Sequence, residues 1–252
     1  MKEEWIIECR KLSYTFPDGG IGVEDVSFGV NKGDFLLLTG PNGSGKTLLS
    51  RLLIGLLKPS KGEVLLENSA IGQQLELVRQ KVGLIFQDPN HQIVGQDVQE
   101  EIAFGPENLA WPRERIKKAV ATVMERMSLT HLSKRRPHSL SGGEKRRLVL
   151  AGILVMEPEV IIFDEPFVGL DYKGCVAILQ QMLDLHQDGK TLMVISHDVE
   201  KILAHVNRVI ILSKGKIVAD SEAESALRQF KQYDIRVPYG EDRPIDSMTW
   251  LE

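Results

Sequence analysis

The stretch FLLLTGPNGSGKT, residues 35–47, decides the fold because it joins an apolar run to a glycine-rich loop. The loop at residues 40–47 has the spacing G-x-x-x-x-G-K-[ST], and the apolar pattern LLSRLLIGLL follows it directly. A buried strand, a glycine loop and a helix in this order predict a phosphate-binding loop. The alternative is a glycine turn beside a solvated lysine, which the flanking strand and helix disfavour.

The residue types in this loop suit a triphosphate. Glycines let backbone N–H groups approach phosphate oxygens, and the start of a helix attracts negative charge. Lys46 would contact the β- and γ-phosphates, while the Thr47 hydroxyl would bind Mg²⁺. The predicted nucleotide-binding residues are Gly40, Pro41, Asn42, Gly43, Ser44, Gly45, Lys46 and Thr47.

A second apolar run, VIIFDEP at residues 160–166, ends in two acids. At the end of a strand, Asp164 can hold Mg²⁺ and Glu165 can act on an attacking water as general base or as a group that positions the water. Two carboxylates solvating the end of a strand are the alternative. The phosphate-binding loop in the same chain favours the catalytic interpretation.

A second helix start suited to anions occurs in SLSGGEKRRLVLAGILV, residues 139–155. Ser141, Gly142 and Gly143 precede a helix that carries basic residues in its first turn. One nucleotide needs only one anion-binding helix start from its own subunit. The second helix start therefore suggests a contact with the γ-phosphate of a nucleotide bound to another subunit. A serine N-cap with a solvated basic face is the alternative.

Periodicity predicts an α/β fold with a helical insertion at about residues 87–156. Strands are predicted at residues 4–9, 26–30, 35–39, 64–66, 82–86, 160–164, 191–196 and 206–212. Helices are predicted at residues 46–57, 113–127, 144–156, 173–187 and 221–230. The tail at residues 231–252 looks too polar for a core element apart from Trp250 and Leu251, and either docking on a partner or fraying would fit it.

Composition narrows the function classes. The chain has 252 residues, 42% of them hydrophobic, and a net charge of -4, which argues weakly against nucleic acid as the main partner. Cys9 and Cys175 suggest neither a disulfide framework nor a metal cluster. The chain shows no apolar run long enough for a membrane span, so we expect that it does not cross a bilayer alone.

The motifs GPNGSGKT, Gln87, LSGGE, VIIFDEP, VGLD and SHD occur in the order found in one family, and the chain resembles the ATP-binding subunits of ABC transporters over about residues 4–230. The resemblance implies ATP hydrolysis with Mg²⁺ and a P-loop NTPase core with a mostly parallel sheet, an N-terminal antiparallel β subdomain and a helical signature subdomain. It implies a nucleotide-binding domain at residues 1–230, with its core at 1–86 and 157–230, and a short tail.

The resemblance also implies roles for single residues. Gln87 would reach Mg²⁺ and the attacking water, Asp164 would hold the metal, and Glu165 and His197 would be catalytic. The signature residues Ser141, Gly142 and Gly143 and the D-loop residue Asp171 would serve the nucleotide of a second subunit, either an identical copy or a paralogue. Phe16, or otherwise Tyr14, would stack on adenine, with core packing as the alternative for both. Glu144, Phe167, Val168 and Gly169 depart from the family's common residues.

The stretch QDPNHQIVGQDVQEEIAFGPENL, residues 87–109, has five acidic residues and no Lys or Arg. It resembles the matching segment of ATPases from energy-coupling-factor importers and related cobalt and nickel importers. That resemblance implies a membrane scaffold subunit docking near residues 88–107, with Glu100 and Glu101 binding arginines and Ile93, Val94 and Phe104 forming an apolar floor. A solvated acidic loop is the alternative.

The resemblance places the chain on the cytoplasmic face of the cell membrane, as a peripheral subunit beside a separate membrane subunit that binds the imported vitamin or metal ion. A soluble ABC ATPase acting on nucleic acid or ribosomes is the alternative function, although such proteins usually carry a coiled-coil insertion or a second cassette. A small-molecule kinase would lack LSGG and VGLD.

Overall fold

Two β-sheets form the centre of the computed structural model, which describes residues 5–237 and 244–251. The first sheet is antiparallel, in the order β2-β1-β4-β5. Its strands are β1 (Trp5–Thr15), β2 (Ile21–Asn31), β4 (Lys61–Leu66) and β5 (Ser69–Ala70). This sheet confirms the antiparallel β subdomain near the N-terminus.

The second sheet has the order β10-β9-β3-β8-β7-β6, and all its neighbouring strands are parallel except β10, which pairs with β9 in the antiparallel sense. Its strands are β3 (Phe35–Thr39), β6 (Val82–Ile85), β7 (Val160–Asp164), β8 (Thr191–Ile195), β9 (Arg208–Ser213) and β10 (Lys216–Ser221). Every residue of β3, β7 and β8 is buried, as expected for apolar strands covered on both faces. The predicted mostly parallel sheet is confirmed.

Alternate residues of β3 divide the core. Phe35 and Leu37 pack with the helices on one face of the sheet, and Leu36 and Leu38 pack towards the antiparallel sheet and the helix after the glycine loop. The helices are α1 (Lys46–Leu53), α2 (Leu75–Lys81), α3 (Val98–Asn108), α4 (Arg113–Arg126), α5 (Gly142–Leu154), α6 (Tyr172–Gln187) and α7 (Ala223–Leu227). Among the described residues, none of the helices has both the length and the apolar character needed to span a bilayer.

Several elements differ from the predictions. The helix predicted at residues 46–57 ends at Leu53, because Gly55 adopts a left-handed backbone with φ +70°. The helix predicted at residues 221–230 shortens to α7, since its first residue ends strand β10. Helices α2 and α3 and strands β5 and β10 were not predicted. Strands β1 and β2 are longer than the runs predicted for them, residues 4–9 and 26–30. Residue 4 of the first run lies outside the described residues.

The described part of the tail packs on the rest of the chain, so the expectation that only Trp250 and Leu251 could join a core was wrong. Ile235 and Met248 are buried in the core beneath the parallel sheet. The Met248 carbonyl accepts a hydrogen bond from the Ala204 N–H at 3.2 Å. These contacts fix residues 244–251 against the segment that follows β8.

Candidate functional site

The glycine loop after β3 is shaped so that a side chain would not fit at its first position. Gly40 has φ +147°, and a Cβ placed there would lie 1.9 Å from the Leu212 carbonyl oxygen. The Ser44 hydroxyl in the same loop is buried and has no hydrogen-bond partner among the described residues. A close-fitting loop with an orphaned buried hydroxyl is suited to an anion that supplies the missing partner.

The Lys46 ammonium lies inside this loop at the start of α1. It donates to the Gly40 carbonyl at 2.8 Å and to the Pro41 carbonyl at 3.1 Å. Burial lowers the pKa of Lys46, and the nearby carboxylates of Glu165 and Asp164 oppose that change. Phosphate oxygens carry charge and are stronger acceptors than these carbonyls, so the ammonium is placed to bind them.

The Thr47 hydroxyl donates to Asp164 Oδ1 at 3.2 Å and joins α1 to the end of β7. Burial raises the pKa of the Asp164 carboxyl, and the hydrogen bond from Thr47 partly opposes this. A hydroxyl and a carboxylate are the hard oxygen donors that Mg²⁺ prefers, and Mg²⁺ commonly takes only one or two protein ligands beside phosphate and water. The residues present therefore fit a Mg²⁺ ion.

Glu165 and His197 meet where β7 and β8 end side by side. His197 Nδ1 lies 2.9 Å from Glu165 Oε2, and the Glu165 N–H donates to the Ile195 carbonyl at 2.8 Å. Glu165 has φ +49°, a left-handed backbone that is uncommon for a residue with a side chain. The strained turn holds the Glu165 carboxylate inward against the ring of His197.

One open cleft of about 600 Å³ is lined by Phe16, Gln87, Glu165, His197 and the loop residues 42–47. That volume lies within the about 300–1,000 Å³ typical of small-molecule sites. Asp164 is not among the lining residues and joins them through its hydrogen bond with Thr47. Phe16 is 43% exposed and faces the cleft, while Tyr14 packs edge-on against it at 5.3 Å and is not among the lining residues. Position therefore favours Phe16 over Tyr14 as the stacking residue.

The signature residues do not reach this cleft. Ser141 caps helix α5 by accepting from the Glu144 N–H at 3.3 Å, and the Glu144 carboxylate accepts from the Ser141 N–H at 2.7 Å. Ser141, Gly142 and Gly143 are exposed and are not among the described residues that line the cleft. Glu144, which departs from the family pattern, thus completes a capping box with Ser141, and the start of α5 is exposed to solvent.

Asp171 also lies outside the cleft lining. Its carboxylate accepts from the Gly174 N–H at 2.8 Å and caps the start of α6. Of the predicted site residues, the structure thus gathers the glycine loop, Gln87, Asp164, Glu165, His197 and Phe16. Tyr14 contacts Phe16 from outside the cleft lining, and the cleft is also not lined by Ser141, Gly142, Gly143 or Asp171.

Arg146, one of the basic residues in the first turns of α5, has a contact that was not predicted. Its guanidinium donates to the Pro166 carbonyl at 2.6 Å and to the Val168 carbonyl at 2.9 Å. Arg146 thus ties the signature helix α5 to the backbone that follows Glu165. The sequence shows only that Arg146 lies in the first turns of that helix. A basic residue at such a position is ordinarily exposed to solvent, so the sequence does not indicate these contacts.

The prediction that Glu100 and Glu101 together bind arginines on a partner is wrong for Glu101. This residue is only 8% exposed, and its Oε2 accepts from the Val94 N–H at 2.7 Å and the Gly95 N–H at 2.6 Å. Helix α3 turns Glu101 towards the core, while Glu100 lies on its exposed face. The carboxylate of Glu101 therefore holds the chain's own loop.

Two other acids of the stretch at residues 87–109 are also engaged within the chain. Asp88 accepts from the Asn90 N–H at 2.9 Å, and Asp97 caps α3 and pairs with Lys134 at 3.2 Å. The concave surface beside the stretch is lined by Ile93, by polar and small residues and by the basic side chains of Arg136, His138 and Lys145, and it has no acidic residue in its lining among the described residues. Of the five acidic residues in the stretch at residues 87–109, Glu100 and Glu107 are the two that are exposed.

Comparison with known proteins shows similarity along most of the chain. Residues 23–168 match the family model described as ABC transporter. The energy-coupling factor transporter ATP-binding protein EcfA of Methanothermobacter thermautotrophicus is 38% identical over 239 residues, covering 92% of this chain and 77% of that protein.

Two solved structures share the fold. CbiO1 from Clostridium perfringens, described as part of the ABC transporter complex CbiONQ, superposes with a TM-score of 0.80 and 29% identity, covering 94% of this chain and 97% of that one. A bacterial ABC transporter cassette solved as a dimer superposes with a TM-score of 0.76 and 26% identity, covering 86% of this chain and 98% of that one.

Proposed function

The chain belongs to the ABC transporter family as an ATP-hydrolysing subunit, and we propose that it works in a head-to-tail pair that powers an energy-coupling-factor type importer. One observation carries this proposal: the catalytic groups line the cleft of the glycine loop, whereas Ser141 and its two glycines form an exposed helix start elsewhere. A nucleotide held in the cleft leaves one side open, and the signature of a second subunit would cover it.

In this mechanism Lys46 and the backbone N–H groups of the loop hold the β- and γ-phosphates of ATP. Glu165 accepts a proton from the attacking water, and Gln87 orients that water. His197, which contacts Glu165, donates to the γ-phosphate and keeps the Glu165 carboxylate in place. Mg²⁺, held by Thr47 and Asp164, would offset the charge of the phosphates.

The pair of subunits would close on ATP and reopen after hydrolysis. ATP favours the closed pair only through contacts that exist in that state, which here are those between the γ-phosphate and the partner's signature. The partner is a second copy of this chain or a related chain. This chain carries both the glycine loop and the signature, so it could complete a site with an identical copy or with a related chain.

The exposed surface of α3 and the loop before it is our candidate docking site for a membrane scaffold subunit. Val94 is 61% exposed and Phe104 is 49% exposed, and Glu100 and Glu107 lie on the surface of the same helix as Phe104. Apolar side chains beside free carboxylates suit an amphipathic helix that carries arginines. A separate membrane subunit would bind the substrate, and this chain would lie at the cytoplasmic face as a peripheral subunit.

The Glu165→Gln variant tests the catalytic part of the proposal. We expect it to bind ATP and to run as a dimer in size-exclusion chromatography with ATP, while steady-state phosphate release falls by at least about a hundredfold. The wild-type chain serves as the control and should release phosphate only with Mg²⁺ present. Hydrolysis by the variant at close to the wild-type rate would remove Glu165 from the reaction.

The Glu100→Lys/Glu107→Lys double variant tests the docking surface. We expect it to keep its ATP affinity but to lose co-purification with membrane subunits, because like charges would oppose the scaffold's arginines. The Glu76→Lys/Glu125→Lys variant makes the same change in net charge at exposed positions of α2 and α4 and should co-purify normally. Equal recovery of both double variants would contradict the assignment of the surface.

A further inference from the structure

The described tail, residues 244–251, lies against two segments that lead away from the cleft. Its Trp250 ring packs on Tyr172 at a centroid distance of 5.6 Å, and the Tyr172 hydroxyl donates to the Trp250 carbonyl at 3.3 Å. Tyr172 opens helix α6 directly after Asp171. The tail therefore contacts the residue that directly follows Asp171, the last residue of the D-loop.

On its other side the tail meets the segment after His197. His205 Nε2 lies 2.6 Å from Thr249 Oγ1, and the Ala204 N–H donates to the Met248 carbonyl. Met248 is buried beneath these contacts. A short piece of chain thus bridges the end of the D-loop and the turns that follow β8.

Lys201 is the centre of this bridge. Its ammonium pairs with Asp198 at 2.6 Å, and it lies 4.6 Å from the centroid of the Trp250 ring and 5.6 Å from that of Phe167. The Lys201 side chain is only 11% exposed, so these interactions are little screened by water. Asp198 directly follows His197, and Phe167 lies two residues after Glu165.

We infer that Lys201 and Trp250 are positioning residues for hydrolysis, which hold the Glu165 and His197 segments in register through Phe167 and Asp198. The inference rests on the proposed roles of Glu165 and His197. It also accounts for the large aromatic residue at position 167, since the ring of Phe167 is the face on which Lys201 lies. Arg146 holds the same backbone through the Pro166 and Val168 carbonyls.

A positioning role and a purely structural role differ in the kinetics. A structural defect lowers the amount of folded enzyme but leaves the turnover number per folded site unchanged. Loss of positioning lowers kcat per nucleotide-binding site while KM for ATP changes little, because neither Lys201 nor Trp250 lies among the residues that line the cleft.

The test compares Trp250→Ala and Lys201→Met with the conservative variants Trp250→Phe and Lys201→Arg, using the full chain. We expect kcat per ATP-binding site, counted by calorimetric titration, to fall about fivefold in the first two variants. KM should stay within about twofold, and the conservative variants should recover most of the rate. Trp111→Ala is the matched control, since Trp111 packs on Arg115 at 3.4 Å and has no assigned role in the site.

Two outcomes separate this inference from the proposed function. If the wild-type chain hydrolyses ATP and Trp250→Ala has the same kcat per binding site, the inference fails while the proposed function stands. If the wild-type chain binds ATP but does not hydrolyse it with any partner subunit, the proposed function fails first. A fall in kcat that Trp250→Phe does not repair, or that Trp111→Ala reproduces, would also overturn the positioning role.

Discussion

Removal of the Glu101 carboxylate should destabilise the protein far more than removal of its neighbour Glu100. Glu101 is buried near the start of α3 and accepts two short hydrogen bonds, from the Val94 and Gly95 N–H groups. Hydrogen bonds to charged groups contribute about 1.5–3 kcal/mol each, and partial exposure of this loop reduces that figure. The Glu101→Ala variant should therefore lose about 2–3 kcal/mol of unfolding free energy.

The measurement is urea unfolding followed by circular dichroism, with thermal unfolding beside it. For a chain of this size, about 2–4 °C is lost per kcal/mol, so Glu101→Ala should melt about 4–12 °C below the wild type. The Glu101→Gln variant keeps a carbonyl acceptor and should lose less. Glu100→Ala is the matched control and should stay within about 0.5 kcal/mol of the wild type because its side chain is exposed.

Equal effects of Glu101→Ala and Glu100→Ala would refute this reasoning, since they would show that the two loop hydrogen bonds contribute nothing beyond a surface charge. A Glu101→Lys variant would not test partner docking, because it would place a cation where two N–H donors converge. The charge reversals that probe docking should accordingly leave Glu101 unchanged.

Three further predictions concern the nucleotide and the tail. Lys46→Ala should weaken ATP binding by about ten- to a hundredfold in calorimetry, because the phosphates lose a charged donor, and an unchanged affinity would remove Lys46 from the site. Phe16→Ala should weaken ATP binding by about tenfold through lost stacking, whereas Tyr14→Ala should have a smaller effect. A larger loss of affinity in Tyr14→Ala than in Phe16→Ala would favour Tyr14 as the stacking residue. Burial lowers the pKa of His205 from its ordinary value of 6.5, so the unfolded chain takes up a proton first and stability falls as the pH drops below about 6.5. His205→Asn should flatten that decline in thermal scans between pH 7.5 and 5.5, and an identical decline in both proteins would contradict the assignment.

The parts of the fold that sequence predicts well are those in which local pattern and chemistry coincide. An apolar strand, a glycine loop of fixed spacing and a helix occur within residues 35–53, so neighbouring residues alone specify β3, the loop and α1. The strand ends before and at Asp164 and His197 are likewise specified by neighbouring residues. Their convergence follows from the parallel sheet, because β3, β7 and β8 all end at the same edge.

Helix α3 was missed because Gly105 and Pro106 look like helix breakers. Pro106 lies in the last turn of the helix, and at Gly105 the chain packs closely on the Met156 side chain, since a Cβ there would lie 2.7 Å from Met156 Sδ. A better signal was available: Val98, Glu101 and Ile102 have the spacing of one helical face, which places Glu101 with two buried apolar residues. Asp97 three residues before Glu100 also marks a helix start.

The tail contacts could not be predicted in the same way. Lys201 and Trp250 are far apart in the sequence, and nothing in the local pattern of either residue indicates the other. Arg146 likewise bonds to backbone carbonyls twenty or more residues away. Such contacts depend on the packing of α5, α6 and the turns after β8 in the folded protein, so only the three-dimensional structure shows them.

The exposed signature helix has a genetic consequence. If each working site draws its glycine loop from one chain and its Ser141 from another, two different defects can rescue one another in a mixed pair. A chain lacking Lys46 combined with a chain lacking Ser141 has one site with both defects and one site with neither. Mixing the two inactive proteins should therefore restore part of the activity, whereas mixing either with itself cannot. The same division would allow duplicated genes to specialise one site for turnover and the other for binding.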